Sequence, residues 1–301
     1  MLPNRDRIPA AIGLRLLSVG LFSMMNAAIK QAEAGGAALA EILFFRQFGA
    51  AVLIVSVIAL GPGLASVRTT NMRAHVLRAV IGLSAMACFF TAIMTLPLAE
   101  STAIGFTIPI FATVLGALVL KEPTGKWRWG AVLGGFAGVL VVTQPGGGQI
   151  PLWAAGVALL GCFLTANVSI LLRRMGRTES TGTTVFWFSV LSLVPLTPLY
   201  LHAAQPHPAA TWRVLAAIGL LGGAAQFAMT RSLQLGPVSV VVPMDYSSLL
   251  WAAGLGWLLF GALPAPATWV GAPIIIASGL VIVWRERVRV LEETRQATAD
   301  A

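Results

Sequence analysis

Lys30, Glu41 and Arg46 stand in a stretch, Ser23 to Arg46, that is otherwise apolar on both sides of a short turn. An ionised side chain deep in hydrocarbon costs roughly 2.5–3.5 kcal/mol on insertion scales, so charges kept there have a use. Ser23, Asn26 and Lys30 are spaced three and four apart and share one face of a helix. Glu41 and Arg46 are five apart and point about 140° away from each other, which argues against a pair within their own helix. Arg46 lies about 12 Å into its run at the helical rise per residue. Its guanidinium is a fork of donors suited to a carboxylate or phosphate; the structural alternative is snorkelling or capping of backbone carbonyls. For Lys30 and Glu41, nearer the surface, the alternatives are snorkelling or an ion pair across the turn.

Asp245 lies at a similar depth from the opposite side, with Ser248 on its face and Pro243 just before it. A proline lacks an N–H and frees a backbone carbonyl where a site can use one. A carboxylate at that depth suits either proton carriage or a structural pair with Arg46, and both readings stand. Trp187, Trp251 and Trp257 fall away from predicted helix ends, as interior packing or as a stacking surface. The sequence has no GxSxG, HExxH, Walker loop or paired intramembrane aspartates, so no enzyme and no cofactor is expected. His75, His202 and His207 occupy connecting segments without ligand spacing and read as solvated. Cys88 and Cys162 sit in separate apolar segments and imply neither a disulfide nor a metal site.

The elements that must position these residues follow from composition. Apolar residues make up 57% of the 301 and charged residues 10%, whereas a soluble domain carries about 25% charged. A water-soluble class is excluded. Apolar runs bounded by charge, Pro or Gly fall at about 9–30, 38–60, 75–95, 98–120, 128–143, 151–172, 181–202, 212–233, 237–261 and 266–284. Backbone groups cannot stay unpaired in lipid, and the length and lack of alternation of these runs select helices over a barrel. The net charge of +9 does not mark a nucleic-acid surface, because the basic residues cluster between the runs. With the N-terminus in the cytoplasm, sixteen Lys and Arg fall on that side, and only Lys30 and Arg213 on the other. Trp127, Trp129, Trp153, Trp212, Trp269 and Trp284 mark helix ends, where indole rings favour the interface. Arg5, Arg7 and the Ala32-Glu33-Ala34 tripeptide imitate a signal peptide. Lys30 and the second apolar run directly after it instead favour a retained first helix.

The chain also reads as doubled. One shift matches Ala79/Ala216, Gly82/Gly219, Phe90/Phe227 and Leu98/Leu235, and a slightly longer one matches Gly20/Gly161, Phe22/Phe163, Asn26/Asn167 and Gly138/Gly279. Five helices per half is an odd number, so the second half is expected to be inverted, as in secondary transporters. Lys30, Glu41 and Arg46 correspond to Leu171, Gly182 and Trp187, and Asp245 to Ile108: the ionisable groups break a symmetry that Gly and Phe keep. Gly130, Gly134 and Gly138, and Gly219 with Gly223, read as helix-packing seams.

As a set, several signatures carry a family resemblance over about residues 10–285. They are Phe22-Ser23-Met24-Met25-Asn26 with Lys30, Glu41-Ile42-Leu43-Phe44-Phe45-Arg46, Leu96-Pro97-Leu98-Ala99-Glu100 with Pro109-Ile110-Phe111, Lys121-Glu122-Pro123, Pro243-Met244-Asp245-Tyr246 and Gly271-Ala272-Pro273. The chain resembles the EamA-type branch of the drug/metabolite transporter superfamily. That resemblance implies an all-α integral membrane protein of ten transmembrane helices, with a central cavity lined mainly by helices 1, 3, 4, 6, 8 and 9. It also implies that Glu41 and Arg46 are in part family architecture. The closing Glu of many relatives' ninth helix is absent, where Gly261-Ala262-Leu263-Pro264 stands.

The expected organisation is a first repeat over 9–143, a second over 151–284, and a cytoplasmic tail over 285–301, with both termini cytoplasmic. The expected function is secondary transport, across a bacterial inner membrane, of a small polar or zwitterionic metabolite such as an amino acid, S-adenosylmethionine or riboflavin. The alternative is a lipid or lipid-linked sugar flippase. The expected substrate-binding set is Asn26, Lys30, Glu41, Arg46, Phe106, Asn167, Trp187, Gln226, Asp245, Ser248 and Trp251. Expected partners are a small-molecule solute, membrane lipid and a proton as coupling ion, with no nucleic acid, in a monomer or homodimer.

Overall fold

Apolar residues in unbroken runs leave the backbone amides no partner but each other, and the chain answers with helices throughout. The computed structural model describes residues 8–61, 63–119, 126–144, 150–175, 178–235 and 242–299. Among these there is no strand. The helices are α1 (Ile8–Ala34), α2 (Leu39–Leu60), α3 (Met72–Thr95), α4 (Leu98–Gly105), α5 (Ile108–Val119), α6 (Lys126–Thr143), α7 (Leu152–Met175), α8 (Thr181–Ala203), α9 (Ala209–Leu235), α10 (Ser248–Phe260) and α11 (Pro266–Ala299). Short 3₁₀ segments cover Leu64–Val67 and Val242–Ser247. Among the described residues eight spans are long and apolar enough to cross a membrane, and Trp129–Thr143 is a shorter apolar helix. With α4 and α5 taken as one broken rod, and Val242–Ser247 with α10 as another, the rods number ten.

Both breaks have a local cause. Between α4 and α5 the chain turns at Phe106 and Thr107, where Phe106 N donates to Ala103 O at 3.2 Å and Thr107 N to Ile104 O at 3.0 Å. Pro109 follows; it has no N–H to give Gly105, and its ring crowds that carbonyl. Pro243 sits likewise in the 3₁₀ segment that precedes α10. Asp245 is therefore carried by a 3₁₀ turn and not by the α-helical face that its spacing to Ser248 suggests. At the other end α11 runs through Trp284 to Ala299, so the expected tail continues the last helix.

Packing joins helices far apart in sequence. α1 lies along α9, α3 along α7, α2 against α9 and α8, and α6 against α11. Two serines lace the first of these contacts, Ser18 Oγ to Ala225 O and Ser232 Oγ to Ala11 O, each at 2.9 Å. Glycine sets the closest approach of α2 and α9: a Cβ on Gly219 would lie 2.7 Å from Phe45 O, and one on Gly49 2.5 Å from Gly219 Cα. Gly223 meets Leu53 and Ala50 of α2, while Gly134 and Gly138 meet Ser278 and Ile275 of α11. Gly130 faces open space, so it is not part of that seam.

One apolar core gathers Ile29, Ile42, Phe90, Leu196, Leu215 and Ile218; a second gathers Phe106, Ile110, Val132, Val139 and Ile275. Outward faces stay apolar, with Val80, Leu133, Val194, Leu220 and Leu258 all exposed, as lipid requires. Trp127, Trp129, Trp153, Trp269 and Trp284 are exposed too, whereas Trp212 packs inward on Phe45 and His207.

Candidate functional site

Inside this shell the charged side chains are placed by tertiary contacts. Arg15, two turns into α1, turns its guanidinium edge to Asp245: Nε donates to Oδ1 at 2.6 Å and Nη2 to Oδ2 at 2.5 Å. The fork matches both carboxylate oxygens, the geometry that makes such pairs strong. The pair with Arg46 that the sequence allowed for Asp245 is thus not formed; Arg15 takes that place. The Arg15 side chain is buried, while that of Asp245 is 38% exposed, so one end of the pair remains open to a competitor.

Arg46 is buried on α2, with Nη1 donating to Gln47 Oε1. Its Nε is buried without a hydrogen-bond partner, as are Gln47 Nε2 and Asn26 Oδ1. Gly222 of α9 leaves the space that Arg46 and Met25 fill: a Cβ there would stand 3.4 Å from Arg46 Cγ and 2.9 Å from Met25 Sδ. Arg78 of α3 lies over the Phe188 ring at 4.1 Å from its centroid, and Arg46 acts on it as a like charge. A basic residue counted from sequence as a surface topology marker is therefore an interior group, with Nε and Nη1 buried.

Two residues of the expected binding set hold helix ends together. Lys30 Nζ reaches Leu96 O at 2.9 Å, Ile93 O at 3.4 Å and Met94 O at 3.5 Å, capping the last carbonyls of α3. Glu41 is fully buried; its carboxylate accepts from Ala38 N at 2.8 Å and Gln205 N at 3.4 Å, and lies 3.0 Å from His207 Nε2. The ion pair across the turn that the sequence left open for Lys30 and Glu41 is not formed. His207 is correspondingly buried, and so is His75, whose Nε2 stands 3.5 Å from Glu179 Oε2. Only His202 is exposed as all three histidines were expected to be: His75 stands inside α3 and not in a connecting segment, and the segment that carries His207 folds back onto the start of α2.

The remaining members of the set are dispersed. Trp187 donates from Nε1 to Val67 O at 2.9 Å and lies beside His75, tying α8 to the 3₁₀ segment before α3. Phe106 packs edge-on to Tyr246 at 5.0 Å, linking the two breaks. Trp251 rests on Gly20 of α1. Asn167 turns its amide back to Phe163 O of its own helix at 2.9 Å. Gln226 and Ser248 are half-buried on α9 and α10. Sequence reasoning missed Arg15 and the part played by Glu100, whose Oε1 accepts from Ala265 N at 2.9 Å and Thr268 Oγ1 at 3.1 Å at the start of α11. The signal for Arg15 was present: an arginine inside the first run, on the stripe that also carries Phe22 and Asn26.

Comparison with known proteins gives the class. The model of the EamA-like transporter family matches residues 9–144 and again 152–284. The chain belongs to that family: it is a multi-pass membrane protein of the transporter class, not an enzyme. Among individual relatives it is 27% identical to the pseudopaline exporter CntI of Pseudomonas aeruginosa (strain UCBPP-PA14) over 92% of this chain and 97% of that one. It is 30% identical to a riboflavin transporter of Rhizobium johnstonii over 81% of each chain. A solved crystal structure covering 93% of this chain and 98% of its own shares the fold at a TM-score of 0.62 and 17% identity.

Proposed function

We propose that the protein is a secondary carrier of a small polar or zwitterionic metabolite, working by alternating access across a bacterial inner membrane. The observation that carries this reading is the Arg15–Asp245 pair, buried at the guanidinium, part-open at the carboxylate and carried on the 3₁₀ turn that leads into α10. A structural ion pair has no need of an exposed end or an irregular helix start. A carrier uses both, because broken helices near the midplane supply the free backbone groups of its site. A solute bearing both charges would compete for each partner, its cation displacing Arg15 and its anion displacing Asp245; a proton on Asp245 would release Arg15 in the same way.

Helix pairing supports inverted halves. α1 on α9 and α3 on α7 exchange when the halves are exchanged, while α2 with α8 and α6 with α11 pair equivalent helices. The skewed distribution of Lys and Arg supports cytoplasmic termini. Relatives named for export or transport of organic metabolites support the solute class.

The test is counterflow in proteoliposomes with labelled riboflavin and a panel of amino acids. Saturable exchange should appear for at least one solute and disappear in Arg15→Gln and Asp245→Asn while both variants still fold. Unchanged exchange in those variants would remove the pair from the mechanism; no exchange of any solute in the wild type would count against the carrier reading itself.

A further inference from the structure

We infer that Arg46 and Arg78 together form an oxyanion subsite that takes a carboxylate or phosphate group of the transported solute. The inference deepens, and rests on, the carrier reading above. The two side chains come from consecutive antiparallel helices, α2 and α3; Arg46 is buried, and Arg78 is half-buried with its Nε and Nη1 out of solvent. Phe188 holds the Arg78 plane by its face, at 4.1 Å, which leaves the N–H edge free for a ligand. Gly82 is what lets this side chain climb along its own helix, because a Cβ there would lie 2.0 Å from Arg78 Nη1 and 3.0 Å from Phe188. Gly222 gives Arg46 its room in turn.

Charge bookkeeping then points to an anion. Arg46 acts on Arg78 as a like charge, and a guanidinium stays charged at neutral pH. Among the described residues no carboxylate serves either of them: Glu41 is held by His207, Glu100 by the start of α11, Glu179 by Thr69 and His75, and Asp245 by Arg15. Arg46 Nε and Arg78 Nε and Nη1 are all buried donors without a partner. Two unneutralised cations with unmade hydrogen bonds are costly to keep for packing alone, whereas an oxyanion between them would satisfy charge and donors together.

The experiment uses the full chain in lipid nanodiscs, with thermal unfolding and titration calorimetry against succinate, citrate, inorganic phosphate and a neutral polyol. At least one anion should stabilise the wild type while the polyol does not. Response to the carboxylates alone or to phosphate alone identifies the source of the oxyanion. Arg46→Gln and Arg78→Gln should each weaken that binding about tenfold or more, the scale of a lost charge-assisted contact. Both should also raise the unfolding temperature of the ligand-free protein, the opposite sign from losing a structural contact. Should a Gln variant fail to fold, Phe188→Leu releases Arg78 from its stack and should weaken anion binding severalfold in a folded protein. The subsite is overturned if no anion stabilises the wild type, or if the variants bind as well as the wild type does. Counterflow run in parallel separates the two readings: anion binding without flux of any solute overturns the carrier alone, and flux without an anion response overturns the subsite alone.

Discussion

Arg15 and Asp245 are 230 residues apart in the chain and meet through two hydrogen bonds, one to each carboxylate oxygen. The contact joins the first helix to the interrupted rod near the end of the molecule. Because the Asp245 side chain is 38% exposed, water screens part of the attraction, and breaking the pair should cost about 1–3 kcal/mol rather than the larger figure for a sealed one. Asp245→Asn should lower the unfolding temperature modestly and abolish exchange. In the double variant Arg15→Gln/Asp245→Asn, stability should recover while exchange stays lost. If exchange returned along with stability, the pair would be scaffold only.

Lys30 separates two roles cleanly. Its ammonium caps Leu96 O and its neighbours at the end of α3, and a cation at a helix C-terminus contributes about 0.3–1 kcal/mol, up to about 2 kcal/mol when partly buried. Lys30→Met should therefore reduce thermal stability by that amount and leave the affinity for the transported solute unchanged. A solute KM raised tenfold with stability intact would return Lys30 to the binding set.

Much of the architecture was legible because it depends on short-range facts. Ten apolar runs of suitable length specify ten rods, and Pro109 marks the break after Gly105 without help from the rest of the chain. The site was legible only in part. Arg46 and Asp245 were visible as ionisable groups at depth, but the partner of Asp245 lies on a helix that only tertiary packing brings near, so the structural alternative weighed for it named Arg46 where Arg15 stands. Arg15 carries no local mark of its role, because its partner Asp245 is 230 residues away in the chain. The histidines misread for a related reason. His207 reaches Glu41 across 166 residues, and nothing local to either announces that a connecting segment tucks beneath helix ends.

The glycines divide into two kinds that sequence spacing does not distinguish. A methyl group on Gly219 would strike the backbone of α2, where neither Phe45 O nor Gly49 Cα can yield, and overpacking of this sort costs about 1–3 kcal/mol. A methyl group on Gly130 would meet nothing, and alanine is the better helix former by about 1 kcal/mol. Gly219→Ala should unfold at lower temperature than the wild type and Gly130→Ala at the same temperature or higher, in one detergent and one assay. Equal effects would show that α2 and α9 do not cross where these residues place them.

Glu100 fastens the fourth rod to the last. One carboxylate oxygen accepts from Ala265 N and Thr268 Oγ1 at the start of α11, where a negative charge also meets the positive end of the helix dipole. Glu100→Gln keeps an acceptor and loses the charge, so it should cost about 0.3–1 kcal/mol; Glu100→Ala loses both and should cost about 1–3 kcal/mol. Thermal unfolding of the three proteins should rank them in that order. Gln and Ala variants of equal stability would mean that the carboxylate does not cap α11.

Two Glu–His contacts, Glu41 with His207 and Glu179 with His75, have related places in the two halves. Glu41 stands at the start of α2 and meets the segment before α9; Glu179 stands just before α8 and meets Thr69 and His75 around the start of α3. In a carrier with inverted halves, these contacts lie at opposite membrane faces and each resists opening at its own face. Removing one contact should then shift the population toward opening on that side. A contact contributing about 1–3 kcal/mol supports a shift of roughly tenfold. With Cys88 and Cys162 replaced by Ala and a single cysteine placed at Gln226, Glu179→Ala should increase labelling by an impermeant maleimide from the α1-start face, and Glu41→Ala from the other. Right-side-out and inside-out vesicles read the two directions separately. Equal labelling in both orientations, for both variants, would mean that these contacts secure loops and do not govern access.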